Sequence, residues 1–288
     1  MVVQHCHPDD IEKDTLFNHA TRYLHATNDN PPQCHSNAAD GSGAYISHML
    51  DSLAELFTEQ NSSQGQQITT NWAMAPRLQE LLGGTTRGVA EDCTMILVKV
   101  VNKLGVSKIG WLCQAILRAP DHSIAKDIVD KIVMSISLGG EYTTVINTAV
   151  KKATNSGITL VVSAGNSGVS AVIYSPASAV TAITVAANSP DNRRAPFSNY
   201  GPCVNIFAPG VGITSTLISV KQESRRYSGT SSATAYVMGL AAYFISREDL
   251  RGYRAVRKRV LYAASLNGVI KDSRWSSNRL EFSGILRN

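Results

Sequence analysis

The sequence has no stretch approaching eighteen consecutive apolar residues, so it encodes no membrane-spanning helix and no membrane partner is expected. Charged residues are scarce at 17% against 43% hydrophobic, which excludes a disordered polyelectrolyte and leaves ample material for a core. None of the five cysteines (Cys6, Cys34, Cys93, Cys113, Cys203) forms a C-x-x-C pair, and the odd count leaves at least one thiol unpaired in a monomer. The spacing of His5, Cys6, His7, Cys34 and His35 suits no common structural zinc site, so neither a metal nor another cofactor is expected. The basic surplus is slight: 27 basic less 22 acidic residues gives +5, spread out apart from RRY at Arg225 and RKR at Arg257, so no nucleic-acid partner is expected. The start, MVVQHCHPDDIEKDTLF, lacks a basic region followed by an apolar run, so no cleavable secretory signal is readable and the compartment stays unassigned.

What is present is one domain's worth of chain, 288 residues, expected to be monomeric. Residues 1 to about 80 are rich in His, Asn, Gln and Ser with little periodicity, and 1–40 are expected to be poorly ordered. From 85 to 245 the texture changes. Met95 to Val101, Lys131 to Leu138, Ile158 to Ser163 and Ala182 to Ala187 are short, β-branched apolar runs that predict buried parallel strands. Between them Ile109 to Arg118 and Thr143 to Thr154 read as helices. The second places Val145, Ile146, Ala149, Val150 and Ala153 on one stripe, with Asn155 and Gly157 as stop signals. Ser231 to Ile245, apolar almost all round, predicts a buried helix, and Tyr253 to Leu266 predicts another. Alternating strands and helices imply an α/β fold: a doubly wound, mostly parallel sheet with helices on both faces, and ligands outside the carboxyl ends of the strands.

Two segments carry reactive groups. SGTSSATAYVMGLAAY, Ser228 to Tyr243, delivers Ser231 to the first turn of the buried helix, where backbone amides and the helix dipole favour a developing oxyanion. Taken alone, a serine before a helix is better explained as its cap; the context of the other motifs favours the reactive hydroxyl. VVSAGNSG, Val161 to Gly168, ends a strand in a glycine-flanked loop carrying Asn166, whose amide either donates to an oxyanion or merely serves the turn.

Together with SLGG at Ser137, YSPAS at Tyr174, FSNYG at Phe197, IFAPG at Ile206 and the closing NRLEFSG at Asn278, these segments resemble the subtilisin-like serine proteases, and within them the proteinase K branch best known from fungi. The likeness is strong over 85–284 and disrupted over about 53–82, within a domain expected to span 41–288. It implies Ser231 as nucleophile and Asn166 as oxyanion donor. It also implies a peptide or protein substrate laid along Ser137, Leu138 and Gly139 like an added strand, with Gly165 lining the pocket for the residue before the cut. Asp51, in ADGSGAYISHMLDS, is the candidate acid, although Leu53 stands where the family has glycine. Departures inside the serine motif are Ser232, Ala235, Tyr236 and Met238, with Tyr236 expected to crowd the helix, and Asn205 stands where the family has a calcium-ligating Asp.

One element of the family pattern is absent. A serine hydrolase of this kind needs an imidazole, supplied in the family by an HGTH motif shortly before the segment matched here by GGTTRGVA, but none of the seven histidines is followed by glycine. The expected position is Met74, in NWAMAPRLQELLGG. Back-translated and read two bases later, WAMAPRLQELLGG permits GHGTQVAGTIGG, so a frame disruption is expected to have overwritten the histidine helix. The reading is therefore a serine endopeptidase by resemblance, impaired or inactive as written. The alternative is a non-catalytic peptide-binding pseudoenzyme of the same fold.

Overall fold

The computed structural model describes residues 2–5, 67–69, 94–98, 100–102, 106–125, 129–216, 224–265 and 270–281. In chain order the elements are β1 (Val2–His5), β2 (Gln67–Thr69), β3 (Thr94–Leu97), β4 (Val106–Lys108), α1 (Ile109–Ala125), β5 (Ile132–Ile136), β6 (Gly140–Glu141), α2 (Thr144–Asn155), β7 (Thr159–Ser163), β8 (Tyr174–Ser175), β9 (Ile183–Asn188), β10 (Ile206–Pro209), β11 (Ile213–Thr216), β12 (Ser224–Tyr227), α3 (Thr230–Glu248) and α4 (Gly252–Ser265). A six-stranded sheet runs β10-β9-β7-β5-β1-β3. Its first four strands are parallel, in register at Ile206 with Val185, Val161 with Ile183 and Val133 with Thr159. The expected α/β, doubly wound architecture is therefore present. Of the four runs expected to be parallel, Thr94–Leu97 is the exception, pairing antiparallel with Val2–His5, which itself lies antiparallel to β5. An apolar run encodes burial but neither direction nor partner, and here the neighbour comes from the far N-terminus. The rest of segment 1–40 lies outside the described residues.

Side-chain alternation on the central strands divides the core into two layers. Ile132, Met134, Ile136, Leu160 and Val162 pack with Leu112 and Ile116 of α1 and Ile146 and Val150 of α2. Val133, Val161 and Val185 point the other way, onto Val237, Leu240 and Phe244 of α3, with Val256 and Val260 of α4 behind. Period-two strands flanked by helices on both sides are what doubly winds the sheet. Helix α2 starts where expected: the Thr143 side chain accepts from the Val145 amide at 3.2 Å, capping it, and Ser156 closes it. Val145 is 58% exposed, so it sits beside the buried stripe and not on it. Helix α3 is buried on nearly every side. Cys113 and Cys203 are unpaired, and burial pushes both thiols up. No helix among the described residues is long and apolar enough to cross a membrane.

The C-terminal segment runs beside β10, with the Phe207 amide donating to the Arg279 carbonyl (2.8 Å) and the Glu281 amide to the Phe207 carbonyl (2.7 Å). Burial pushes the Glu281 carboxyl up from 4.5 to about 7. A carboxyl whose pKa is higher in the folded state favours folding below its unfolded pKa, and that contribution is lost as pH rises through about 7. Glu281→Gln is therefore expected to stabilise the chain by about 1–3 kcal/mol at pH 8 and by little at pH 4.5. Urea unfolding of both proteins at the two pH values checks this; an equal gain at both removes titration as the cause.

Candidate functional site

The carboxyl ends of the parallel strands converge on one place. Strand β7 is buried up to Ser163, and the Ala164 amide extends its pairing by donating to Val185 at 2.8 Å. The chain then turns at Gly165, whose φ of +102° belongs to the left-handed region that a side chain rarely adopts. A Cβ there would collide with the Asn199 amide nitrogen.

Asn199, fully buried in the FSNYG segment, organises this turn. Its backbone amide donates to the Gly165 carbonyl (3.0 Å) and its Nδ2 to the Ala164 carbonyl (2.8 Å). Its Oδ1 accepts from the amides of Ser167 (3.0 Å) and Val169 (3.1 Å). One buried side chain thus holds the backbone on both sides of Asn166. Three side-chain hydrogen bonds at about 1 kcal/mol each, with groups left unsatisfied if they go, make it a principal restraint on the loop. Asn199→Leu is expected to lower stability by about 2–4 kcal/mol in chemical denaturation, and a loss under 1 kcal/mol would contradict this restraint.

Asn166 is exposed, and its Oδ1 accepts from both the amide (2.8 Å) and the Oγ1 hydroxyl (2.9 Å) of Thr230. A backbone amide can only donate, so the atom facing it must be the oxygen, and the amide nitrogen of Asn166 is turned the other way. Asn166 Nδ2 makes no hydrogen bond among the described residues. Thr230 opens α3, and the residue after it is Ser231. Gly229, with its amide donating to the Gly210 carbonyl at 2.8 Å, is the helix cap. Ser231 therefore stands inside the first turn, and the capping alternative is excluded. Ser231 is buried, and its hydroxyl makes no hydrogen bond among the described residues. The structure thus brings Ser231 and Asn166 together through Thr230.

Ser137, Leu138 and Gly139 continue from the end of β5, the strand that pairs with β7, and their backbone makes no hydrogen bond among the described residues. Leu138 is buried, the Ser137 hydroxyl is buried without a partner, and a Cβ at Gly139 would lie 2.8 Å from the Ser175 carbonyl oxygen. Asp51, Met74 and, apart from Gln67–Thr69, the segment 53–82 lie outside the described residues. The departures in the serine motif are accommodated: Ala235 and Met238 are buried, while Tyr236 is half-buried at the core margin and not crowded inside it. Asn205 is engaged in the sheet, its Oδ1 accepting from the Thr184 amide at 2.8 Å. Thr230 and Asn199 were missed as functional residues from sequence, although both lie inside quoted motifs; an Asn among apolar and aromatic neighbours in FSNYG was the available signal.

A parallel α/β sheet thus holds the Asn166 side chain, through Thr230, next to the serine in the first turn of a buried helix. The chain belongs to the Subtilase family, whose model matches residues 57–280. Alkaline protease 1 of Aspergillus clavatus is 40% identical over 204 residues, 70% of this chain and 50% of that protein. Alkaline protease 1 of Aspergillus flavus is 34% identical over 258 residues, 86% of this chain and 62% of that protein. The extracellular serine proteinase of a Thermus species is 37% identical over 209 residues, 70% of this chain and 48% of that protein. The chain thus spans about half to three-fifths of the length of these relatives. The crystal structure of a cold adapted subtilisin-like serine proteinase superposes with a TM-score of 0.65 at 29% identity, covering 74% of each chain.

Proposed function

We propose that the Ser231 and Asn166 cluster is the acyl-transfer site of a serine endopeptidase, and that turnover through it is impaired in the chain as written because the sequence lacks the HGTH motif that supplies the imidazole. The observation that carries this reading is the Thr230 tether, which fixes Asn166 Oδ1 and leaves its Nδ2 to donate elsewhere, one residue from the serine hydroxyl.

The chemistry follows from those groups. Ser231 Oγ adds to the scissile carbonyl, whose oxygen gains the negative charge that Asn166 Nδ2 and the positive end of α3 offset. Collapse expels the amine and leaves an ester on Ser231, and water then hydrolyses that ester. Each half-reaction needs a base that first takes a proton and then returns it, and an acid, here Asp51, that orients the base. The peptide would extend along Ser137 to Gly139, with Gly165 lining the pocket for the residue before the cut. The backbone of those three residues, unpaired among the described residues, also favours a second reading, capture of an extended peptide without turnover.

A fluorophosphonate probe tests the first reading, since it reports serine activation. The expected outcome is labelling of the full chain no faster than of Ser231→Ala. Labelling of Ser231 at a hundredfold or greater excess over that variant would make the chain a working hydrolase and end the impairment claim. Retention of an uncleaved fluorescent peptide, followed by anisotropy, separates the peptide binder from an inert chain.

A further inference from the structure

Helix α4 carries a second constellation that shares no residue with this site. Tyr253, Arg254, Arg257, Lys258, Leu261 and Tyr262 recur at helical spacing on one stripe, and with Arg279 of the C-terminal segment they line a pocket of about 550 Å3. Four of the seven lining residues are cations and none is a carboxylate. Neighbouring arginines are treated differently: Arg259 is held by both oxygens of Glu248 at 2.9 Å, and Arg251 pairs with Asp249 at 2.9 Å. Among the described residues Arg254, Arg257, Lys258 and Arg279 have no such partner.

Arg257 is the costliest member. Its Nε is buried with no acceptor among the described residues, and it lines the same pocket as a second guanidinium, Arg279. A buried donor left unsatisfied opposes folding, and a like charge nearby adds to that. Elsewhere in the fold a buried guanidinium is fully engaged: Arg194 donates to the carbonyls of Ala195 and Ser198 and pairs with Asp272 at 3.2 Å. An anion in the α4 pocket would supply Arg257 with the acceptor it lacks and offset the repulsion. The pocket is too large for a single phosphate or sulfate group to fill, and its cations come from two separate segments.

We infer that this pocket binds a compact polyvalent oxyanion, a small molecule bearing two or more phosphate or sulfate groups, held by Arg254, Arg257, Lys258 and Arg279 with the two tyrosine rings at its sides. Guanidinium forks recognise tetrahedral oxyanions through paired donors, which the lysine reinforces as a point charge.

The test uses the full chain with inorganic tripolyphosphate and a trisulfated disaccharide as separate probes, against sodium chloride of equal ionic strength. At least one probe is expected to raise the thermal midpoint by about 2–4 °C and to give saturable binding in calorimetry, the tighter one identifying the source of the anion. Lys258→Glu, an exposed position, and Arg257→Gln are each expected to weaken that binding by about tenfold or more. No saturable binding of either probe overturns the inference. So does equal binding by the Lys258→Glu variant, or a shift reproduced by sodium chloride. A random oligonucleotide bound as tightly per charge would reduce the site to non-specific polyanion attraction and overturn it as well.

Discussion

Gly165→Ala is expected to lose about 3–5 kcal/mol of stability, a large part of what a domain of this size possesses. Two effects combine. Alanine at φ +102° is strained wherever it occurs, and here its Cβ would also drive into Asn199 Nδ2. Asn199 cannot yield without giving up the Ala164, Ser167 and Val169 bonds that define the loop. Pairing the change with Asn199→Ser, whose shorter side chain makes room, tests the cause. The double variant should be destabilised by less than the sum of the two single changes. Urea denaturation with unchanged m-values measures all three proteins. A Gly165→Ala variant within about 1 kcal/mol of the parent, or strictly additive effects, would show that the contact does not govern the turn.

The same loop shows what a sequence reveals and what it hides. The strands at Ile132–Ile136, Thr159–Ser163 and Ile183–Asn188 and the four long helices among the described residues are legible because hydrophobic periodicity records burial directly. Pairing partners are not recorded in that way. Nothing local in VVQH announces that Val2–His5 enters the sheet between β3 and β5, and nothing in Met95 to Val101 announces an antiparallel neighbour. Val145 fell off its predicted stripe because a twelve-residue helix on a sheet buries a narrow face. In the site, Ser231 and Asn166 could be singled out because helix onset and glycine-flanked turns have short-range signatures. The Thr230 tether and the buried Asn199 could not, since each depends on a contact spanning 64 or more than 30 residues. Sequence offered two readings of Ser231, cap or reactive hydroxyl; Gly229 occupying the cap excludes the first.

The largest effect is expected from restoring the base. A chain in which WAMAPRLQELLGG, 72–84, is replaced by its alternative-frame reading GHGTQVAGTIGG places an imidazole at the position of Met74. In subtilisin, loss of the histidine alone lowers kcat by about 2 × 10⁶, nearly as much as loss of the whole triad, so restoration is expected to raise peptide-amide hydrolysis by several orders of magnitude. Three features identify the gain as base catalysis at Ser231. Fluorophosphonate should label the restored chain rapidly, Ser231→Ala should abolish both labelling and turnover, and kcat/KM should rise with pH through about 6.5–7 as the imidazole loses its proton. Asp51→Asn in the restored chain should reduce kcat by about 10⁴, and an unchanged rate would remove Asp51 as the orienting acid. Activity must be compared at matched folded fraction, because a replacement of this length also alters stability. A restored chain that unfolds cooperatively yet neither labels nor cleaves would mean that Ser231 and Asn166, though tethered, do not flank a common carbonyl. The nucleotide sequence across codons 60–90 decides a separate matter: a frame encoding HGT there makes the loss a disruption of this gene, and its absence leaves a substituted segment that never carried the base.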